Sequence, residues 1–103
     1  MAHADLSVLG IGGGASASAY VAEIQRRLAR QDRVRYRLHG MGTSLEGSTE
    51  DILAVVAELH RVPLELGYPR AYTVLKLDER RDKPDQTLDD KVRSVEEKLR
   101  DDP

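Results

Sequence analysis

The chain contains no cysteine, no tryptophan and no phenylalanine, and its only Phe/Trp/Tyr-type rings are four tyrosines. Without cysteine there is no disulfide, no thiolate nucleophile and no cysteine-built metal site. With so few aromatics, Leu, Val and Ile must fill the core, and a stacking platform for single-stranded nucleic acid is not provided for. No stretch approaches the ~20 apolar residues that span a bilayer. The start, Met1-Ala2-His3-Ala4-Asp5, lacks the basic-then-apolar order of a secretory leader, so the expected location is the cytoplasm. A net charge of -2 lacks the basic footprint of a nucleic-acid binder, and neither nucleic acid nor membrane is expected as a partner.

What is present fits one domain, residues 1–103, with a modest core that association with further copies would enlarge. Residues 5–11 read as a strand, with Leu6 and Val8 on one face and Leu9 and Ile11 on the other. The glycine-rich run 12–14 leads into a helix capped by Ser16 or Ser18. Val21, Ile24 and Leu28 line its apolar side, leaving Glu23, Gln25, Arg26 and Arg27 for water. Val34, Tyr36 and Leu38 alternate with Arg33, Arg35, Arg37 and His39, the period of a strand with one apolar and one basic face. Gly40-Met41-Gly42 breaks the pattern, so residues 33–47 read as a hairpin.

Ser48 caps a second helix with an apolar stripe of Ile52, Val55, Val56 and Leu59; Pro63 divides it, and Gly67 ends it. A last strand covers 71–77. Thr87 then caps a third helix carrying Leu88, Val92, Val95 and Leu99, a stripe so narrow that it calls for docking on something else. The order βαββαβ plus a helix is the ferredoxin-like α+β plan, an antiparallel sheet with two helices on one face. Its second face, expected to carry Leu9, Ile11 and Leu75, is partly apolar and open to a ligand or another copy.

Gly10-Ile11-Gly12-Gly13-Gly14-Ala15 satisfies the dinucleotide glycine pattern only formally, because no acidic strand end follows at the required distance; a turn into a helix explains it better. His3, His39 and His60 have no second ligand at helical spacing, so no metal is expected. No nucleophile–base pair is recognisable, and no cofactor is implied. Arg33, Arg35 and Arg37 form a basic stripe that is either a solvated, edge-protecting face or an intersubunit or anion site. In 41–47 the glycines bound a segment carrying Thr43 and Glu46. A hydroxyl and a carboxylate there suit a heterocycle or a cation, and equally suit an ordinary hairpin with a surface glutamate.

Taken together, the glycine loop followed by Ala19-Tyr20-Val21, then Met41-Gly42-Thr43 with Glu46-Gly47, and then Arg80-Arg81-Asp82-Lys83 with Lys91-Val92-Arg93-Ser94-Val95-Glu96 resemble the YkoF-like thiamine-binding proteins. The resemblance spans nearly the whole chain and is most specific from Glu79 to Leu99. It implies non-catalytic binding of thiamine or its hydroxymethylpyrimidine part, as carrier, buffer or sensor. It also implies a homo-oligomer built as a dimer of dimers. On that footing Glu46 serves the thiazolium or the exocyclic amine, Thr43 a ring nitrogen, and Gly42 a close backbone approach, with Ser16 and Ser18 nearby. Arg80, Arg81, Asp82 and Lys83 close the site or contact a neighbouring subunit. The family commonly places a threonine among the first-loop glycines, where this chain has Gly12-Gly13-Gly14-Ala15-Ser16. The alternative function is a structural or regulatory assembly module without a small-molecule ligand.

Overall fold

The computed structural model describes residues 1–13 and 16–101. Strand β1 (Ala2–Ile11) leads to helix α1 (Ala17–Ala29), and β2 (Arg35–His39) and β3 (Gly42–Gly47) form the hairpin. Helix α2 (Thr49–His60) and a single turn α3 (Val62–Glu65) precede β4 (Arg70–Glu79) and α4 (Leu88–Asp101). The four strands lie in the order β2-β3-β1-β4, every pair antiparallel. This is the ferredoxin-like α+β arrangement.

β1 is longer than its apolar run. It begins at Ala2 because, in the sheet centre, its backbone pairs with β3 on one side and β4 on the other. Its even-numbered residues face the helices: Ala2, Ala4, Leu6 and Val8 are buried with Leu45 of β3. Ile24 and Leu28 of α1 and Ile52, Val55, Val56 and Leu59 of α2 close over them as one core.

The local signals act as expected. Ser16 is the α1 N-cap, its hydroxyl accepting from the Ser18 backbone N–H at 3.3 Å. Ser48 caps α2 through the Asp51 N–H at 3.1 Å. Pro63 stands in the first turn of α3, where its missing N–H costs no helical bond, so the helix divides after His60. Gly67, at φ 94°, turns the chain out.

The glycines at the end of β1 are shaped by packing. A Cβ at Gly10 would lie 2.7 Å, and one at Gly13 2.5 Å, from the Tyr68 ring, which also meets Tyr20 edge-on at 5.4 Å between centroids. Gly10 and Gly13 thus make way for an aromatic side chain. Gly14 and Ala15 lie outside the described residues.

The open face differs from expectation in one residue. Register pairs Leu75 with Leu6, which puts Leu75 against the core; Tyr72 and Val74 take the outward positions beside Leu9 and Ser7. Strand parity fixes this, and parity follows from pairing rather than from composition. The molecule measures 50 × 32 × 21 Å with a radius of gyration of 15.7 Å, against about 13 Å for a compact chain of this length. Helix α4 accounts for part of that extension, since none of its residues is buried.

Candidate functional site

Two concavities flank the hairpin on opposite faces of the sheet. The first lies on the helix side, between α1 and the β2–β3 end, with a volume of about 300 Å³. It exists because α1 packs over β1 and stops short of β2, leaving Leu38 52% exposed on the inner face. Ile24, Tyr20, Val21, Leu38 and Met41 supply apolar walls. At its floor Thr43 is buried, and its hydroxyl oxygen accepts a hydrogen bond from Gln25 Nε2 at 3.0 Å. That bond orients both groups: the Thr43 proton remains available for donation and the Gln25 Oε1 for acceptance. A mostly apolar cleft with a small set of convergent polar groups is the usual form of a small-molecule site.

Gln25, expected on the wet side of α1, is therefore a member of this cleft. It follows Val21 by four residues and so shares its helix face, a signal that polarity masks in the sequence. Gly42 lines the same cleft, and a Cβ there would meet the Leu6 carbonyl oxygen at 2.5 Å. Ala17, at the start of α1, also borders it; the flanking Ser16 and Ser18 are exposed with their hydroxyls 2.9 Å apart. At the rim, His39 accepts from the Met41 N–H through Nδ1 at 3.3 Å and donates from Nε2 to Asp5 at 2.9 Å. Both ring nitrogens are thus committed, which leaves the imidazole without a free base position.

Thr43 and Glu46 do not share this site. Three residues apart on one strand, they point to opposite faces, and the spacing alone carries that signal. Glu46 is buried on the open face, opposite His3 of β1 and Arg35 of β2. Its Oε2 accepts the Leu88 backbone N–H at 2.9 Å, and Oε1 lies 3.5 Å from Arg35 Nε. The carboxylate is engaged with the N-terminus of α4. That end is further held by a reciprocal box: Asp90 N–H to Thr87 Oγ1 at 3.0 Å and Thr87 N–H to Asp90 at 2.9 Å. The backbone bond from Thr87, followed by its hydroxyl, holds the Asp90 carboxyl below its ordinary range. Lys91 reaches Asp78 at 2.9 Å and lowers that carboxyl likewise.

The charged loop stays on the surface. Arg80 forks onto Asp82, and Arg81 and Lys83 are exposed. The same connection is tied to the strand start by the Met1 amino group on the Pro84 carbonyl at 2.8 Å. A second tie runs from His3 Nε2 to the Gln86 carbonyl at 2.7 Å. Of the other histidines, His60 bonds Thr73 through Nδ1 at 2.6 Å. Arg33 leaves the basic stripe to pair with Asp51 at 2.7 Å, which lowers that carboxyl.

A family model described as "Thiamine-binding protein" matches residues 4–96. The chain belongs to the thiamine-binding protein family. Among its relatives, the UPF0045 protein YqgV of Bacillus subtilis is 38% identical over 103 residues, covering 96% of this chain and 98% of that one. A UPF0045 protein of Methanothermobacter thermautotrophicus is 42% identical over 101 residues, covering 96% and 100%. The structure of the hypothetical protein MJ1052 from Methanocaldococcus jannaschii superposes on this thiamine-binding family member with a TM-score of 0.82. The two are 33% identical, with 93% of this chain and 96% of that chain covered. The Thermotoga maritima protein TM0486, by its name a candidate thiamine biosynthesis/salvage protein, superposes at 0.75 with 18% identity, covering 91% and 97%. At that identity the likeness shows the fold alone. No helix among the described residues of this family member is long and apolar enough to cross a membrane.

Proposed function

We propose that residues 1–103 act as one domain that binds thiamine, or its hydroxymethylpyrimidine part, without transforming it. The observation that carries this reading is the Thr43–Gln25 pair on the floor of the apolar cleft, in a chain of the thiamine-binding family. An aminopyrimidine presents ring-nitrogen acceptors beside an amine donor. The Thr43 hydroxyl donates to a ring nitrogen, and Gln25 Oε1 accepts from the amine. Leu38 and Met41 on one side and Val21 and Ile24 on the other hold the flat ring. Gly42 keeps the rim low, and Ser16 and Ser18 stand at the mouth. Glu46 supports α4 rather than the pyrimidine, and Arg80, Arg81, Asp82 and Lys83 form a surface loop that meets a neighbouring subunit.

The protein works in the cytoplasm as a homo-oligomer, a dimer of dimers, in this reading. Its support is the amount of apolar surface left open. Leu9, Ile11, Tyr72 and Val74 are 38–46% exposed on the open face, and Val92, Val95 and Leu99 are 56–69% exposed along α4. Such surface on one side of a small chain is the signature of an interface.

Calorimetric titration tests the ligand. Wild-type protein is expected to release or absorb heat with thiamine, and Thr43→Val or Gln25→Ala to weaken binding at least about tenfold, a loss of one good hydrogen bond to a buried group. No heat and no thermal shift at millimolar thiamine would leave the assembly module as the function.

A further inference from the structure

The larger concavity, about 420 Å³, lies on the other face of the sheet, between the hairpin and the first turn of α4. Arg35, Arg37 and Lys91 line it, with Ser44, Glu46 and Asp89, and Leu88 and Val92 form its apolar part. Its charges are unevenly committed. Glu46 is compensated by the Leu88 N–H and by Arg35, and Lys91 is held by Asp78. The Arg37 guanidinium and the Ser44 hydroxyl have no hydrogen-bond or ion-pair partner among the described residues, and register sets them directly opposite each other. Arg35 and Arg37 stand two residues apart on the same face of β2, about 6.6 Å between Cα atoms.

We propose that this cavity is a phosphate site, independent of the thiamine cleft. Two guanidinium forks and a hydroxyl, converging from neighbouring strands, match a tetrahedral anion with several acceptor oxygens. Arg37 and Ser44 make the primary contacts. Arg35 contributes a second fork while screening the anion from Glu46, and Lys91 adds charge from α4. Asp89 at the rim sets a limit on the ligand's charge, favouring a single phosphate group over a polyphosphate. The apolar part, Leu88 and Val92, leaves room for the organic portion of a phosphate monoester. The sheet lies between this cavity and the cleft at Thr43, so the two sites fill separately.

The test is calorimetric titration of the full chain at low ionic strength with inorganic phosphate and, separately, with glycerol phosphate. Binding is expected in both arms, tighter for the monoester if the apolar walls are used and equal if free phosphate is the ligand. Arg37→Ala should weaken it at least about tenfold, and Arg37→Lys, which keeps the charge and loses the fork, by less. Because Arg37 is exposed and has no partner among the described residues, both variants should melt as the wild type does. Thr43→Val should leave phosphate binding unchanged. Absence of heat up to about 10 mM phosphate, retention of wild-type affinity in Arg37→Ala, or loss of it in Thr43→Val would each overturn the assignment.

Discussion

The Glu46 carboxylate accepts the backbone N–H of Leu88 at 2.9 Å, joining the middle of the sheet to the first residue of a helix forty-two positions later. The anion sits at the positive end of α4, where a helix favours negative charge. Since α4 buries no side chain of its own, polar ties of this kind attach it. Glu46→Ala is expected to cost about 1.5–3 kcal/mol, the range for a hydrogen bond to a charged group. Hydrogen exchange should quicken across α4 first. Glu46→Gln keeps an acceptor and should lose less. Unchanged exchange in α4 would show that the loop ties suffice alone.

The close approach of β1 and β3 makes Gly42 and Gly40 unequal. A Cβ at Gly42 would lie 2.5 Å from a backbone oxygen, whereas Gly40 has nothing within 4 Å. Gly42→Ala should destabilise by about 1–3 kcal/mol in denaturant melts, the usual cost of overpacking. Gly40→Ala should be near neutral, because its φ is not in the left-handed range. Equal melts for the two would contradict the strand spacing.

Acid should release α4 before it unfolds the core. The Asp78 and Asp90 carboxyls are held below their ordinary range, by the Lys91 hydrogen bond and by the Thr87 bonds respectively. A depressed folded pKa means the stabilisation is complete above the unfolded value, about 3.9, and is lost as pH falls through the folded values. Helix signal by circular dichroism should therefore hold from neutral pH to about pH 4 and decline below it. Amide shifts at α4 should move ahead of those in β1. Simultaneous loss of both would deny the separate attachment.

Assembly has its own test at Leu9, which is 43% exposed at the apolar end of the open face. Leu9→Asp should shift the chain to smaller species in size-exclusion chromatography with light scattering, without lowering the helix content. Val95→Asp probes the α4 stripe in the same way. Elution identical to wild type for both variants would remove these surfaces from the interface.

How legible the molecule was in its sequence depended on the range of the interaction. Ser16, Ser48, Thr87, Pro63 and Gly67 act through their own neighbours in the chain, and their positions mark the helix ends directly. Alternation at Val34, Tyr36 and Leu38 and helical spacing at Ile52, Val55, Val56 and Leu59 report the element types for the same reason. The βαββαβ order then followed, and with it the sheet. The separation of Thr43 from Glu46 was also present, as an odd spacing on a strand, although the glycines around them made a common site attractive.

The rest depended on residues that are distant in sequence. The sequence alone determined the elements and their order, because these arise from local periodicity and short-range capping, and its motifs carried the resemblance to a thiamine-binding family. Only the tertiary structure decided that Leu75 turns inward, that Gln25 meets Thr43, that Glu46 caps α4, and that Gly10 and Gly13 make way for Tyr68. Each is settled by strand register or by packing across the sheet. A one-residue change in register would exchange the two faces without altering a single local propensity.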